Sequence, residues 1–468
     1  MFIKKIILWA AGTSLAAIIL FAAQPTGAQT SSQAERLEKL ERAVEQLQKR
    51  NAELEQEVSG LKKQAASTAE VAAKMKTKAF YDGKSYVEKA VVEVEKPPVF
   101  VVPRASELKL VLGGYIQANF EGGDVSAFEG RFGQTALDDR FRLRRARINL
   151  TGEFAEHFDF KIEGEFENSD GISSNRTAFS GTDIFANWHQ FPEAQIKVGQ
   201  WKAPFGLEQL TPDPSLIIIE RSLPTGAITP ERQIGVQVWG KPFTNVWPEQ
   251  KDLLTYYAGI FNGNGRNTTI NDNNAFMYVG RLELMPFKGK IFGQNSSLKL
   301  GADVLNSRDD AGTNISQSLN LLVNADGSLS PFVLSTPAER TAWSVDAWFN
   351  LGPFDLIGEY LQEKVNGLTL NGVPGIPDFT TNGYYITAAY FLIPKKLQLA
   401  TRWEYLNPGQ RGNDGIRSIT GGLNYYIHGD DLKLMVNYIH TWSDFREANP
   451  EFGQDQFDEV IARIQLMF

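Results

Sequence analysis

The stretch that decides the fold reads DDRFRLRRARINLTGEFAEHFDFKIEGEFE and spans residues 138–167. It consists of two runs of alternating polar and apolar residues, joined by a tight corner at residues 155–157. In the second run, one face carries Phe158, Phe160, Ile162, Gly164 and Phe166, and the other carries Asp159, Lys161, Glu163, Glu165 and Glu167. Successive side chains of a β-strand point to opposite faces, so the run predicts a sheet with one apolar and one charged face.

A sheet of this kind fits two architectures. In a soluble sandwich the apolar face would cover a core, whereas in an outer-membrane barrel it would face lipid and the charged face would line the lumen. The lengths of the connections favour the barrel, because short and long ones alternate along the chain. The short ones include 155–157, 192–193, 352–353, 393–395 and 428–430, and the long ones include 122–138, 169–180, 203–232, 263–275, 307–339, 366–381, 406–415 and 443–456.

About sixteen alternating runs follow residue 106, each near the ten residues that a tilted strand needs to cross a bilayer. They lie at 107–121, 139–154, 157–168, 181–191, 194–202, 233–240, 253–262, 276–287, 297–306, 340–351, 353–365, 382–393, 396–405, 416–428, 430–442 and 457–468. Tyr and Trp residues cluster near the strand ends, as in the aromatic girdles of membrane barrels, and the last run ends on Phe468. Residues 106–468 are therefore predicted to form an all-β transmembrane barrel of antiparallel strands.

The composition excludes several other classes of protein. The 468 residues contain no Cys, so neither a disulfide framework nor a Cys-based metal site is available. The mean hydropathy of -0.26 is too low for a helical membrane protein but suits a barrel, which distributes its apolar residues singly. A net charge of -8 disfavours a nucleic-acid partner. The four His show no metal-ligand spacing and no hydrolase motif occurs, so we expect neither an enzyme nor a cofactor.

The N-terminus has the pattern of an export signal. Lys4 and Lys5 precede an apolar run at 6–23, and small residues end at Ala28. This order predicts a secretory signal at residues 1–28, with a retained transmembrane anchor as the alternative. The protein is thus expected in the bacterial outer membrane, with its N-terminal region in the periplasm and lipid around the barrel.

Residues 33–64 carry a heptad pattern. The seam consists of Leu37, Leu40, Val44, Leu47, Asn51, Leu54, Val58 and Leu61, spaced alternately by three and four residues. This spacing predicts an α-helical coiled coil that joins copies of the chain, with Asn51 fixing the register. Val at a positions with Leu at d positions favours two strands. The alternative is a solvated single helix.

Residues 65–105 are predicted to form an extended linker before the barrel. Pro97, Pro98 and Pro103 stiffen its last part. Its lysines could contact an anionic cell-wall polymer such as peptidoglycan, or could simply be solvated; they are Lys74, Lys76, Lys78, Lys84 and Lys89.

Four arginines on the strand at 139–154 are the first candidates for a pore lining. The apolar residues change from odd to even positions between Arg144 and Arg145, and a β-bulge there would restore the alternation. Arg142, Arg147 and one or both of the central arginines would then face the lumen. The next strand adds Lys161, Glu163 and Glu165. The alternative is that these charges pair across strands and only brace the wall.

The connection 203–232 is the best candidate for a constriction. It is too apolar at 216–219 for a free surface loop, and five prolines stiffen it. Loops this long without regular structure are usually functional. If it folds into the lumen, it brings charged residues close to the arginine strand, namely Glu208, Asp213, Glu220, Arg221 and Arg232. The alternative is an outward loop that packs against neighbouring subunits.

Four motifs carry a resemblance to a known family. They are DDRFRLRRARINLTGEF (138–154), VGQWKAPFGLEQLTPD (198–213), IIIERSLPT (217–225) and PERQIGVQVWG (230–240). Residues 107–468 resemble the phosphate-selective porin O and P family. The resemblance implies a trimeric, sixteen-stranded channel for small anions such as phosphate, with Arg and Lys side chains inside the pore. It implies Arg142, Arg144, Arg145, Arg147, Lys197 and Lys202 as those side chains, and it favours three strands for the coiled coil.

The expected function is passive diffusion of small hydrophilic solutes, chiefly anions, across the outer membrane. Two alternatives stay open. Acidic residues outnumber basic ones in 105–468, so the channel could be non-selective or prefer cations. The coiled coil and linker could also make the chain a structural protein that tethers the outer membrane to the cell wall.

Overall fold

The structure is a computed structural model that describes residues 49–50, 77–81, 86–90, 108–124, 139–166, 179–315, 322–324, 329–369, 372, 374–452 and 454–468. The chain divides into two compact units, Met1–Pro98 and Val99–Phe468. The predicted signal segment and all eight seam residues lie outside the described residues. Lys49 and Arg50, the two described residues of 33–64, are helical.

The first unit contains a β-hairpin. Strands β1 (Thr77–Tyr81) and β2 (Tyr86–Ala90) are antiparallel, with Thr77 opposite Ala90. They lie within 65–105, where the sequence predicted an extended linker. Asp82-Gly83, a dipeptide typical of tight hairpin turns, follows β1 in the sequence and favours pairing over extension.

The second unit is a closed barrel of sixteen antiparallel strands, which confirms the predicted fold of 106–468. The strands are β3 (Lys109–Gly123), β4 (Arg140–Phe154), β5 (Phe158–Glu165), β6 (Ser180–Trp188), β7 (Gln195–Lys202), β8 (Arg232–Gly240), β9 (Leu254–Phe261), β10 (Met277–Ile291), β11 (Gln294–Asp309), β14 (Ala338–Leu351), β15 (Phe354–Gly367), β16 (Phe379–Ile393), β17 (Leu397–Asn407), β18 (Ile416–His428), β19 (Leu432–Ser443) and β20 (Gln456–Met467). Each pairs with its sequence neighbours, and β20 closes the barrel on β3. The short strands β12 (Leu322–Val323) and β13 (Leu329–Ser330) form a hairpin in the connection between β11 and β14.

The alternation in the sequence becomes an inside and an outside of the barrel. Strand β14 shows it clearly, because Trp343 and Val345 are 40% and 48% exposed on the outer face, whereas Arg340 and Ser344 are buried on the inner face. An apolar outer face suits lipid, and a charged inner face suits a water-filled or loop-filled lumen. Among the described residues, no helix has the length and apolarity needed to cross a bilayer.

The predicted bulge in β4 is present. Gln117 of β3 pairs with Arg145, and Ala118 pairs with Leu143, so Arg144 is the extra residue of β4. The bulge returns Ala146 and the following apolar residues to the outer face.

The predicted short turns connect the strands at one end of the barrel. Ala155, Glu156 and Lys395 adopt positive φ there, as tight turns require. One boundary differs from the prediction. Strand β10 was predicted to end at residue 287 and continues to Ile291, and β11 was predicted to begin at 297 and begins at Gln294. The turn between them consists of Phe292 and Gly293, which both have positive φ.

The long connection between β7 and β8, residues 203–231, lies inside the barrel, and we name it the inner loop. It contains helix α1 (Leu207–Leu210), a 3-10 turn at Asp213–Ser215 and helix α2 (Leu223–Ile228). The helix α3 (Asp444–Ala448) lies in the connection between β19 and β20. The inner loop shares a hydrophobic cluster with residues of the β11–β14 connection and with inward-facing residues of the wall, among them Phe205, Ile228, Ile315, Leu334 and Leu361.

Candidate functional site

Apolar contacts attach the inner loop to the barrel wall. Ile218 packs against Ala389 and Ala400, whose short side chains leave room for it on β16 and β17. Ile219 is fully buried in a second cluster with inward-facing apolar residues of β19 and β20. Full burial of one such side chain stabilises by about 1.5–3 kcal/mol. The apolar run at 216–219 therefore belongs to a loop that folds into the lumen.

Asp213 of the inner loop gathers the guanidinium groups of three arginines. Its carboxylate accepts from Arg147 Nη1 at 2.7 Å and Arg221 Nη1 at 2.5 Å, and Arg145 Nη2 lies 3.6 Å away. The hydroxyl of Tyr115 donates to it at 3.2 Å. Burial alone raises the pKa of the Asp213 carboxyl, but the surrounding cations outweigh burial and hold this pKa well below its ordinary value. Asp213 is therefore ionised and fixes the inner loop to β3 and β4.

Glu220 makes a second ionic attachment. Arg144 donates to its two carboxylate oxygens from Nε and Nη2, at 3.0 and 3.1 Å, and Arg463 of β20 donates at 2.6 Å. The bulge in β4 places Arg144 on the inner face for this bidentate contact. Burial raises the pKa of Glu220, but the Arg144 and Arg463 charges lower it well below its ordinary value.

The remaining predicted charges extend this network along β5, β6 and β8. Lys161 lies 2.8 Å from Glu163 and 3.0 Å from Asp183, and Arg232 donates to Asp183 at 2.7 Å. Arg147 also donates to Glu165 at 3.0 Å. Pairs across strands are thus present, and they are compatible with both sequence interpretations, a bracing role and a pore lining.

On the other side of the inner loop, Glu208 lies 3.2 Å from Arg402 of β17, and its carboxylate accepts the backbone N–H of Ser222. Lys202 donates to the carbonyl of Gln209 at 2.8 Å, and its ammonium makes no ion pair with a described residue. Arg142 is half-buried on the inner face of β4, opposite Asn119. Lys197 lies apart from the network, against aromatic rings of β6–β8.

The charged network is richer in basic than in acidic side chains. Its basic members are Arg144, Arg145, Arg147, Lys161, Arg221, Arg232, Arg266, Arg402 and Arg463, and its acidic members are Glu163, Glu165, Asp183, Glu208, Asp213, Glu220 and Glu404. This network therefore carries two more basic than acidic side chains, although the chain as a whole is acidic.

The wall formed by β10, β11, β14 and β15 has the opposite balance. Arg281 donates from Nη1 to Asp303 at 2.7 Å and to Asp346 at 2.8 Å. Glu359 accepts the backbone N–H groups of Leu207 and Glu208 at the start of α1, where the helix dipole favours a carboxylate. The carboxylates of Asp303, Asp346 and Glu359 lie close enough together to suggest a metal, but the Arg281 guanidinium already pairs with two of them.

Sequence reasoning missed Arg402 and Arg463, the wall arginines that complete these attachments. Arg463 lies on the polar face of the last strand, FDEVIARIQLMF, and the alternation in that strand is the signal that could have assigned it to the lumen. No local signal pairs it with Glu220, which lies 243 positions away.

A closed sixteen-stranded barrel with an apolar outer face and a long loop folded into a charged lumen is the architecture of an outer-membrane porin. The family model for phosphate-selective porin O and P matches residues 113–468, and the chain belongs to that family. Membership places the barrel in the bacterial outer membrane as a channel.

Solved structures share the fold. An anion-selective porin from Comamonas acidovorans is 14% identical, with 77% of this chain and 100% of that chain covered and a TM-score of 0.52. The trimer form of OmpT, an outer membrane protein of Vibrio cholerae, is 10% identical, with 78% and 100% covered and a TM-score of 0.51. At these identities the likeness shows the fold. A comparison with curated proteins found no match.

Proposed function

We propose that the barrel conducts small hydrophilic solutes by passive diffusion and prefers anions such as phosphate. The pore runs past the inner loop, which narrows it. The observation that carries the proposal is the excess of basic side chains where the inner loop meets β4, β5, β8, β17 and β20. Selectivity follows the field at the narrowest point more than the net charge of the chain.

Lys202 adds to this positive field. No described carboxylate pairs with its ammonium, whereas most of the neighbouring guanidinium groups are neutralised by an acid. A cation of this kind attracts a permeating anion without first giving up an acidic protein partner. Lys202 therefore contributes more to anion preference than the arginines that hold the inner loop.

Reversal potentials of the purified protein in planar bilayers, under a KCl gradient, test the proposal. The protein should prefer chloride, and Lys202→Gln should move the reversal potential toward zero. Lys251→Gln is the matched control, because it removes one basic charge from an exposed position in the connection between β8 and β9. Cation preference in the unaltered protein, or equal shifts in both variants, would contradict the proposal.

We also infer that the chain assembles as a trimer, with the predicted coiled coil of 33–64 in the periplasm. The trimer form of OmpT, which shares the fold, supports self-association. Light scattering of the detergent-solubilised protein, with and without residues 29–105, should give three copies in both cases. If the deletion alters envelope spacing and leaves solute uptake unchanged, the N-terminal region is a tether.

A further inference from the structure

Aromatic rings of three adjacent strands surround the ammonium of Lys197. Its Nζ lies 4.5 Å from the ring centroid of Phe185, 5.6 Å from that of Trp239 and 5.8 Å from that of Trp201. All three distances are within cation–π range. These side chains occupy inward-facing positions of β6, β7 and β8, because their exposed neighbours, such as Ile196 and Val198, face outward.

Strand register builds this group. Lys197 is directly opposite Asn187 on one side and Gln237 on the other, so the three polar side chains form one row. Aromatic pairs lie on both sides of that row. Trp239 stacks on Tyr257 with centroids 5.9 Å apart and planes 5° apart, and Trp201 meets Phe185 edge-on at 6.3 Å. We name the group of Phe185, Lys197, Trp201, Gln237, Trp239 and Tyr257 the aromatic recess.

Two glycines determine where the Phe261 ring lies beside the aromatic recess. A Cβ at Gly235 or at Gly259 would meet the ring of Phe261 at 2.5 Å. Because both positions lack a side chain, the Phe261 ring fits beside them, and its centroid lies 5.3 Å from that of Trp201. Trp201 is thus held in place, with its indole N–H donating to Gln237 Oε1 at 3.2 Å.

Two hydrogen-bond donors in the aromatic recess have no acceptor among the described residues. One is the Lys197 ammonium, which makes neither an ion pair nor a hydrogen bond with them. The other is the amide nitrogen of Gln237, a side chain that is 97% buried and whose oxygen is taken by Trp201. Two carboxylates lie nearby, and neither forms an ion pair with Lys197. Asp183 pairs with Lys161 and Arg232, and Asp159 accepts a hydrogen bond from Asn187 at 2.9 Å.

The simplest structural role for this arrangement is a cation–π brace within the wall. A brace explains the rings around Lys197, but it leaves the donors of Lys197 and Gln237 unused. Flat apolar faces beside two free donors are complementary to a molecule with a ring and an anionic group.

We propose that the aromatic recess is a binding subsite for small aromatic carboxylates that pass through the channel. The carboxylate contacts the Lys197 ammonium and the Gln237 amide, and the ring lies against Trp239 and Phe185. This inference rests on the proposed channel function and names a substrate class for it. Inorganic phosphate would use the same ammonium but would gain nothing from the rings.

Block of single-channel chloride current by benzoate tests the inference, with acetate and benzyl alcohol as probes that each lack one half of the ligand. The concentration of benzoate that halves the current should be at least tenfold lower than that of acetate or of benzyl alcohol. Trp239→Leu should raise the half-blocking concentration about tenfold, and Lys197→Met should raise it at least as much. The matched control is Trp348→Leu, because Trp348 of β14 is an indole outside the recess that bonds to Asp355.

The outcomes separate the inference from the proposed function. If the channel conducts KCl and benzoate and acetate block it equally, the proposed subsite is wrong and the proposed channel function is unaffected. Absence of any KCl conductance contradicts the channel itself. If Trp239→Leu does not assemble, Trp239→Phe keeps a ring, and calorimetric titration of benzoate into the unaltered protein in detergent supplies the second measurement. No binding heat there overturns the inference.

Discussion

Replacing Glu220 by Gln should loosen the inner loop from the barrel wall. The substitution keeps the shape of the side chain but removes the charge that pairs with Arg144 and Arg463. These three side chains are only 7%, 17% and 1% exposed, so two guanidinium groups would lose their shared counter-ion in a buried setting. Removing one partner of a buried ion pair typically costs about 3–5 kcal/mol.

That cost translates into a change in population. At roughly 1.4 kcal/mol for each factor of ten, the ratio of attached to released loop falls by roughly a hundredfold to several thousandfold. The burial of Ile218 and Ile219 continues to favour attachment, by about 1.5–3 kcal/mol each. The released state should therefore become a measurable minority, not the main state.

Two assays detect a released loop. Single-channel recordings should show brief excursions to a higher conductance in Glu220→Gln, and trypsin should cleave the exposed loop after Arg221. Glu249→Gln is the control, because it removes one negative charge from an exposed position in the connection between β8 and β9. If Glu220→Gln matches this control in current noise and trypsin resistance, Glu220 does not hold the loop.

Three further predictions follow from the same contacts. The pKa values of Asp213 and Glu220 are lowered in the fold, so the two carboxylates stabilise the attached loop fully above the ordinary carboxyl pKa of about 4. This stabilisation is lost as the pH falls through the lowered pKa values. Conductance should therefore be constant from pH 5 to 7 and become noisy only in strong acid. Ile219→Ala should destabilise the attached loop by about 2–5 kcal/mol, measured as faster trypsin cleavage in the loop. Gly114→Ala should lower the unfolding temperature on semi-native gels, because the new Cβ would meet the main chain of β4 and the ring of Phe468. Gly280→Ala is the control and should leave that temperature unchanged, because its nearest contact would be at 3.4 Å.

The strands were predictable because each alternates independently of the rest of the chain. The period of two in β14 or β20 needs only the local sequence, and the bulge at Arg144 is visible as a change of parity within one strand. The apolar run at 216–219 likewise predicted that the inner loop leaves the surface. Asp82-Gly83, which lies between β1 and β2 in the sequence, is a local signal for a hairpin too, but the surrounding composition favoured a linker.

The partners of the charged residues were not predictable, because they depend on which strands close the barrel. Arg463 and Glu220 lie 243 positions apart and meet only when β20 returns to β3. The aromatic recess has the same origin, since Phe185, Lys197 and Trp239 belong to three strands whose register sets their spacing.

By itself the sequence determined the sixteen strands, the side of each that faces lipid and the loop that turns inward. These features follow from a repeat of two residues and from local hydrophobicity. Only the tertiary structure decided which cations are neutralised and which remain available. Charge pairing depends on distances of about 3 Å between residues from distant parts of the chain, and only the closed barrel brings those residues together.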